Sequence, residues 1–259
     1  MAAVADKPTI SAVIITRNEA EMIAGCLDSL SFCDEIVVVD SLSTDGTQEI
    51  CRARGARVIE RPFTGFGDQK EFARQQASCD WVLSMDADER ITEPLKAEIL
   101  AAVAALDCEA YRIARLSYFL GKPFYHSGWW PDKPLRLFRR DVAWFNSKMV
   151  HEFAETDRPM RELASPMDHF TIRSIEQAVA KHHHYAVLGA AQVERAGGRV
   201  TLLTPFAHSI AAFVKTYVIK RGFLGGVEGY ANARIRSQTA FWKYMFVYMN
   251  RAAARRRQT

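Results

Sequence analysis

The chain has 259 residues, 49% apolar and 25% charged, the composition of an ordinary globular protein able to bury a sizeable core. The five cysteines include no C-x-x-C pair, so we expect reduced thiols in a cytoplasmic protein. The first residues show no signal-peptide pattern, and no run of about 18 uncharged apolar residues occurs. The sequence therefore argues against a secreted disulfide-rich domain and against a membrane-spanning protein.

The net charge of +4 conceals an uneven distribution along the chain. Residues 215–259 contain ten Lys or Arg and one acid, Glu228, which leaves 24 basic and 29 acidic residues elsewhere. The C-terminal segment is also rich in aromatic residues. A basic amphipathic segment with aromatics is typical of proteins that lie on an anionic bilayer. The alternative is a helical packing arm that happens to be basic.

The N-terminal part alternates between apolar runs and segments with helical spacing. The runs predict strands at residues 10–15, 36–39, 57–60 and 81–85. The intervening patterns predict helices at 19–30, from the turn at 41–47 to about 54, at 68–77 and at 93–105. This order predicts parallel strands joined by right-handed crossovers. Neither G-x-G-x-x-G nor a P-loop sequence occurs, which argues against both of those nucleotide-binding classes.

The pattern changes after residue 105. We predict a strand at 110–120, an aromatic loop at 121–134, a strand at 135–139 and a long helix at 175–195. No linker clearly divides the chain. We therefore expect one domain over residues 1–205 and a helical, basic, aromatic extension over residues 206–259.

Three acidic residues, Asp86, Asp88 and Glu89, follow the predicted strand at 81–85. Asp86 and Asp88 are two positions apart in WVLSMDADER, so in an extended chain their side chains point the same way. Ligands of open α/β sheets collect at the carboxyl ends of strands, and carboxylate oxygens suit Mg²⁺ or Mn²⁺. We interpret Asp86 and Asp88 as candidate metal ligands. His169 is a residue able to reach a metal or phosphate, with a structural histidine as the alternative. The alternative is a solvated acidic turn that caps the next helix.

Several segments together carry a more specific signal than the two acids. They are IITRNEAEMI, IVVVDSLSTDGT, RPFTGFGDQKEFA, DWVLSMDADE, GWWPDKPLRLFRR and VHE, which lie between about residues 10 and 152. With them the chain resembles glycosyltransferase family 2, and in particular small bacterial enzymes that add a sugar to the inner core of lipopolysaccharide. The resemblance implies an α/β fold of the GT-A class, with a mostly parallel sheet flanked by helices. It also implies inverting transfer from a nucleotide sugar, usually a UDP-sugar, with Mg²⁺ or Mn²⁺ as cofactor and Asp86 near the ribose.

The resemblance assigns further residues to the nucleotide sugar. Thr16, Arg17 and Glu19 follow the first predicted strand and would surround the base. Asp40 matches a position that contacts the base or ribose, although an aspartate there can also cap a helix or form a turn. Lys70 matches a basic position near the diphosphate, with a solvated helix lysine as the alternative.

An inverting transfer also needs a base that deprotonates the acceptor hydroxyl on the face opposite the leaving group. Glu152 is our first candidate, because it follows the LRLFRR segment at about the spacing found in the resembling enzymes. A surface acid paired to an arginine is the alternative for Glu152. Asp132, in the WWPD sequence, is the second candidate for the base.

These interpretations predict an inverting hexosyltransferase with a UDP-hexose as the expected donor. The expected acceptor is a glycan or lipid-linked molecule such as lipopolysaccharide core. The expected location is the inner face of the cytoplasmic membrane, where the enzyme would bind an anionic membrane surface peripherally. The main alternative is a protein that binds a nucleotide sugar without transferring it.

Two other classes are disfavoured by the sequence. A sugar nucleotidyltransferase would need a glycine-rich basic loop after the first strand, and residues 16–19 do not provide one. The acidic body and the absence of a DNA or RNA motif argue against a nucleic-acid partner.

Overall fold

The computed structural model describes residues 7–146 and 153–256. The chain forms two compact units, one from Met1–Leu116 and Asp132–His169, the other from Ser117–Pro131 and Phe170–Thr259. The boundary expected at residue 205 lies inside the second unit.

The regular elements of the first unit begin with alternating strands and helices. In chain order they are β1 (Ile10–Thr16), α1 (Ala20–Ser29), β2 (Glu35–Asp40), α2 (Thr47–Ala53), β3 (Arg57–Glu60), α3 (Phe66–Gln75), β4 (Trp81–Asp86), β5 (Glu89–Arg90) and α4 (Glu93–Ala105). Shorter strands follow, namely β6 (Ala110–Arg112), β7 (Arg115–Phe119), β8 (Lys122–Pro123), β9 (Leu135–Arg139), β10 (Ala143–Phe145), β11 (Ala154–Thr156), β12 (Arg161–Glu162) and β13 (Met167–Ile172). Of these, β8 belongs to the second unit, and β7 and β13 include residues of both.

Among the described residues, seven strands form one sheet in the order β12-β6-β9-β4-β1-β2-β3. Strands β1, β2, β3 and β4 are parallel, while β9 runs antiparallel to β4 and β6. Side chains of a strand alternate between faces, and both faces of this sheet are apolar. One face packs against α1 and α4, and the other packs against α3 and β10. On β4, Trp81 and Leu83 belong to one core and Val82 to the other. This is the mostly parallel α/β sheet that the sequence predicted.

The first four predicted strands and the four predicted helices all occur, with ends shifted by a few residues. The prediction of one strand at 110–120 is wrong, because the chain leaves the main sheet after Arg112 and begins a new strand at Arg115. At this break the backbone N–H of Ile113 donates to the carbonyl of Pro134 at 3.1 Å. Ile113 is fully buried, which explains why the apolar alternation continued through the break.

Helices dominate the second unit. They are α5 (Ile175–Arg195), α6 (Thr204–Val214), a π-helical turn (Lys215–Ile219), a 3₁₀ turn (Gly222–Gly225) and α7 (Gly226–Arg256). The predicted helix at 175–195 is confirmed. Helix α7 packs against both α5 and α6. Within the part of the chain that the structure describes, no helix is both long enough and apolar enough to cross a membrane.

Candidate functional site

The site lies where β1, β2 and β4 end side by side. In the sheet, Thr16 at the end of β1 is paired with Asp40 at the end of β2, and Ile15 is paired with Asp86 at the end of β4. Parallel strands place their carboxyl ends at one edge of the sheet, where ligands of open α/β folds bind. The alternation of strands and helices therefore brings together Thr16, Asp40 and Asp86, which lie far apart in the sequence.

A cavity of about 420 Å³ opens at this edge. We call it the first cavity. Seven of the residues predicted from the sequence line it, namely Thr16, Arg17, Glu19, Lys70, Asp86, Asp88 and His169. Phe63 and Phe66 line it as well, with their rings packed edge to face at 4.9 Å. Both phenylalanines are exposed, and aromatic faces can stack on a nucleobase.

Thr16 offers a hydrogen-bonding group in this cavity. The residue is 5% exposed, and its Oγ1 forms no hydrogen bond within the described residues. A buried hydroxyl without a partner is costly, so a ligand that supplies one gains affinity. This observation fits a polar ligand such as the base or sugar of a nucleotide.

Asp86 lies at the centre of a group of cations. Its Oδ1 lies 3.0 Å from Nζ of Lys70, and its Oδ2 lies 2.7 Å from a guanidinium nitrogen of Arg136 and 3.7 Å from one of Arg115. Burial favours the neutral acid, but Arg136, Lys70 and Arg115 hold the pKa of Asp86 well below its usual range. Asp86 is therefore ionised, with both carboxylate oxygens facing cations.

Glu89 is the buried counterpart of this cluster. It is fully buried, and its Oε1 lies 2.5 Å from Arg136 and 3.3 Å from Arg115, while Oε2 accepts from the backbone N–H of Asp86 at 2.9 Å. Burial raises the pKa of Glu89 above its usual value, although Arg136 acts in the opposite direction. Arg136, itself 4% exposed, thus bridges two carboxylates under the site.

Asp88 and His169 form a separate pair at the same cavity. Their Oδ2 and Nε2 atoms are 3.4 Å apart, because the antiparallel pairing of β5 with β13 places His169 opposite Glu89. One carboxylate and one imidazole match the ligand preferences of Mn²⁺, and phosphate oxygens could complete such a site. The donor set of Asp88 and His169 therefore fits a divalent metal better than that of Asp86, whose oxygens are held by cations.

Among the described residues, no larger cluster of metal ligands accompanies this pair. Within residues 7–146 and 153–256, no group of three or more His, Cys, Asp or Glu side chains could hold a metal ion. A metal bound by Asp88 and His169 would leave positions for oxygens of phosphate or water, as Mg²⁺ sites commonly do.

Asp40 supports a loop and does not line the first cavity. It is fully buried, and it accepts hydrogen bonds from Ser43 N at 2.8 Å, Ser43 Oγ at 2.5 Å and Gln48 Nε2 at 2.7 Å. This loop is tied to the end of β1, since Asn18 Oδ1 accepts from Thr44 N at 2.9 Å. These contacts match the turn-forming alternative for Asp40.

A second cavity, of about 670 Å³, shares Lys70 and Asp86 with the first. Asp132 lines it and is held by Arg115, whose Nε lies 3.0 Å from Oδ2 and whose Nη2 also donates to that atom. Trp144, Phe153 and Met160 add exposed apolar surface to the wall. Glu152, the first candidate for the base, lies outside the described residues.

The sequence interpretation did not identify Arg115, Arg136 or Glu89 as site residues. A signal for Arg136 existed, because it is a charged residue between Leu135 and Leu137 inside the predicted strand at 135–139. A charge in a buried strand needs a partner, and the nearby acids were the available ones. Glu89 was visible as the third acid after the strand at 81–85, but nothing in the sequence assigned it a partner, and Arg115 carried no comparable signal.

Comparisons with known proteins agree on the family. A family model, "Glycosyl transferase family 2", matches residues 11–173. An uncharacterized glycosyltransferase of Rickettsia prowazekii is 31% identical over 241 residues, covering 87% of this chain and 82% of the relative. A lipopolysaccharide core biosynthesis glycosyltransferase, LpsC of Rhizobium meliloti, is 29% identical over 254 residues, covering 95% of this chain and 94% of the relative.

Among solved structures, a similar chain is glucosyl-3-phosphoglycerate synthase from Mycobacterium tuberculosis in complex with Mn²⁺, UDP and glucosyl-3-phosphoglycerate. It is 28% identical and covers 44% of this chain and 45% of its own, with a TM-score of 0.36. The family model covers more than half of the chain, and the relatives extend over most of it. This protein is therefore a glycosyltransferase of family 2 with the GT-A fold.

Proposed function

We propose that the protein transfers a hexose from a UDP-sugar to a glycan or lipid-linked acceptor such as lipopolysaccharide core, with inversion at the sugar carbon. The observation that carries the proposal is the pair of cavities that share Lys70 and Asp86. Direct transfer needs a donor and an acceptor that meet at one point, and two cavities with a common wall provide this arrangement. The similarity to LpsC over 95% of the chain supports lipopolysaccharide core as the acceptor.

In this proposal the first cavity binds the nucleotide. The phenyl rings of Phe63 and Phe66 would stack on the base, and the free hydroxyl of Thr16 would hydrogen-bond to the base or ribose. Arg17 and Glu19 line the same end of the cavity. Lys70 would contact the diphosphate, because a lysine that lines both cavities suits an anionic ligand.

Asp88 and His169 would hold the divalent metal, Mg²⁺ or Mn²⁺. When bound, such an ion neutralises negative charge that develops on a departing diphosphate. Asp86 would orient the sugar or ribose, since Arg136 and Arg115 fix its carboxylate and keep it ionised. Glu89 holds those two arginines in place from the buried side.

The second cavity would bind the acceptor. The base that deprotonates the acceptor hydroxyl must lie opposite the leaving group and away from Asp86 and Asp88. Asp132 lies in this cavity, but Oδ2 already accepts two hydrogen bonds from Arg115. Because Arg115 already occupies that oxygen, we retain Glu152 as the first candidate and Asp132 as the second.

A thermal-shift screen of nucleotide sugars with Mn²⁺ tests donor binding. A donor at 100 times its Kd stabilises the native protein by about 2.7 kcal/mol, so UDP-sugars should raise Tm more than GDP- or CMP-sugars do. An equal response to every nucleotide sugar would contradict a UDP donor. Release of UDP should then rise on addition of acceptor.

That second measurement separates the enzyme from the alternative. A protein that only binds a nucleotide sugar would show the thermal shift without acceptor-dependent release of UDP. We further propose an anionic membrane surface on the cytoplasmic side as a partner, which would bring the enzyme to a lipid-linked acceptor.

A further inference from the structure

Helix α6 presents a row of exposed apolar side chains. Leu203, just before the helix, is 75% exposed and Ile210 is 66% exposed, and Phe206 and Val214 are also exposed. These positions are three or four residues apart, so they lie on one face of the helix. Ile219, at the end of the π-helical turn, continues the exposed apolar surface at 71%. We call these five residues the apolar stripe.

The opposite side of α6 is the side that packs. Pro205 and Thr216 are buried, and the Ser209 hydroxyl is hydrogen-bonded to that of Ser237 on α7 at 2.8 Å. The fold of the second unit therefore buries one face of α6 and leaves the apolar stripe exposed. Exposed apolar rows of this kind mark interaction surfaces in soluble proteins.

The charges around the stripe indicate what covers it. Helix α6 contains no Asp, Glu, Lys or Arg, whereas Arg199 precedes it and Lys215 and Arg221 follow it. All three cations are exposed and take part in no ion pair within the described residues. Residues 196–259 contain eleven Lys or Arg against one acid, Glu228, which is paired with Lys122 at 2.5 Å.

We infer that the apolar stripe lies in the interface of an anionic lipid bilayer, with Arg199, Lys215 and Arg221 at the level of the lipid headgroups. An uncharged helical face between cations is the composition of interfacial helices, which insert apolar side chains and attract anionic lipid. A second copy of the chain is a poorer occupant, because it would bring two strongly basic surfaces together. All of the residues used in this inference lie in the second unit. Only the link to a lipid-linked acceptor rests on the proposed function.

This inference places the membrane contact mainly on α6, which precedes the basic aromatic segment at 215–259 in the sequence. Many aromatics of that segment pack between helices instead. Phe241 packs edge to face with Phe206 at 5.3 Å, and Tyr244 stacks on His208 at 4.0 Å. Their removal would disturb the helical packing as well as any membrane contact, so substitutions on the stripe give the cleaner test.

The test compares a stripe variant with a matched control. The variant Leu203→Ser/Ile210→Ser/Ile219→Ser changes three of the most exposed stripe residues and leaves the packed side intact. The control Leu188→Ser/Met249→Ser removes exposed apolar side chains from α5 and α7 of the same unit. Both are mixed with vesicles of phosphatidylcholine, with and without phosphatidylglycerol, and the bound fraction is measured by sedimentation.

We expect the unmodified protein to bind the phosphatidylglycerol vesicles at low salt and to bind neutral vesicles weakly. The stripe variant should lose about tenfold or more in vesicle affinity, whereas the control should stay within about twofold. The variant Arg199→Gln/Lys215→Gln should lose about fivefold per cation and show a weaker dependence on salt. Circular dichroism and the thermal shift with a UDP-sugar establish that each variant is folded and binds its donor.

Equal vesicle binding by the stripe variant and the unmodified protein would overturn the inference. It would also be overturned if the protein bound no vesicles and instead formed a concentration-dependent dimer that the stripe variant abolished. Donor binding and UDP release are measured on the same samples. Failure of the membrane inference can therefore be distinguished from failure of the proposed transfer reaction.

Discussion

Nζ of Lys70 lies 3.0 Å from Oδ1 of Asp86, and these are the two residues common to both cavities of the site. The pair joins α3 to the end of β4, so a helix lysine and a strand-end acid meet where the donor and acceptor would meet. Because Arg136 and Arg115 hold the other oxygen of Asp86, the carboxylate is fixed, and Lys70 is the one of these three cations that lines both cavities. This relationship leads to the first prediction.

Replacement of Lys70 should weaken donor binding. Lys70→Gln removes a positive charge from the proposed diphosphate position, and we expect the Kd for UDP to rise about tenfold, since hydrogen bonds to charged groups contribute roughly 1.5–3 kcal/mol. Lys70→Arg keeps the charge and should retain most of the affinity. Isothermal titration calorimetry measures both, with Lys96→Gln as a control on α4. An unchanged Kd in Lys70→Gln would exclude a diphosphate contact.

The metal dependence should follow Asp88 and His169. We expect Asp88→Asn and His169→Gln each to raise the Mn²⁺ concentration for half-maximal UDP binding by about tenfold or more. Each substitution removes one proposed metal ligand and the ion-pair partner of the other. Glu60→Gln, which changes a surface acid, should have no effect. Titration of Mn²⁺ in the UDP-binding assay gives this value. A larger shift for Asp86→Asn than for Asp88→Asn would reverse our assignment of the ligand.

Loss of Arg136 should destabilise the first unit. Arg136→Met leaves Asp86 and Glu89 without their shared cation, and removing one partner from a buried ion pair costs about 3–5 kcal/mol. The surface variant Arg52→Met should cost less than about 1 kcal/mol. Urea unfolding measures both. Adding Glu89→Gln to Arg136→Met should recover part of the loss, and a further loss of the same size would contradict the proposed coupling.

The base can be identified by comparing two isosteric variants. If Glu152 is the base, Glu152→Gln should lower kcat by about 10²-fold or more with little change in the donor Kd, since general base catalysis contributes roughly that much. Asp132→Asn should then have the smaller effect on kcat. Steady-state kinetics with a calorimetric Kd for UDP distinguishes the two. A pure kcat defect in Asp132→Asn alone would assign the base to Asp132.

Acid should weaken the fold partly through Glu35. Burial alone would raise the pKa of Glu35, but hydrogen bonds from Ser11 at 2.5 Å, Ser78 N at 2.8 Å and Arg57 at 2.9 Å lower it to about 2. The unfolded chain has a pKa of about 4.3, so it binds the proton more tightly than the native protein does. The resulting stability is present above about pH 4.3 and is lost as the pH falls toward about 2.

Glu35→Gln should remove this contribution. We expect a loss of about 2 kcal/mol at pH 7 and a flatter decline of stability between about pH 5 and pH 2 than in the unmodified protein. Urea unfolding across this pH range gives the comparison. Parallel curves for the two proteins would show that Glu35 is not responsible for the pH dependence.

The sequence by itself determined the strand-helix order, the end of β4 and the family. Apolar runs such as the one before Asp86 are local signals, because burial on both faces of a parallel strand requires consecutive apolar residues. Segments such as DWVLSMDADE can likewise be compared with a family from the sequence alone. Sequence could not tell whether Asp40 faced a ligand or its own loop, since both roles place an aspartate after a strand.

The tertiary structure alone decided which charges meet. Arg136 reaches Asp86, 50 residues away, because β9 runs antiparallel to β4, and a change of register by one residue would turn its side chain to the other face. His169 reaches Asp88 only through the pairing of β13 with β5. Such contacts depend on strand order and register, which involve residues far apart in the chain and leave no local pattern.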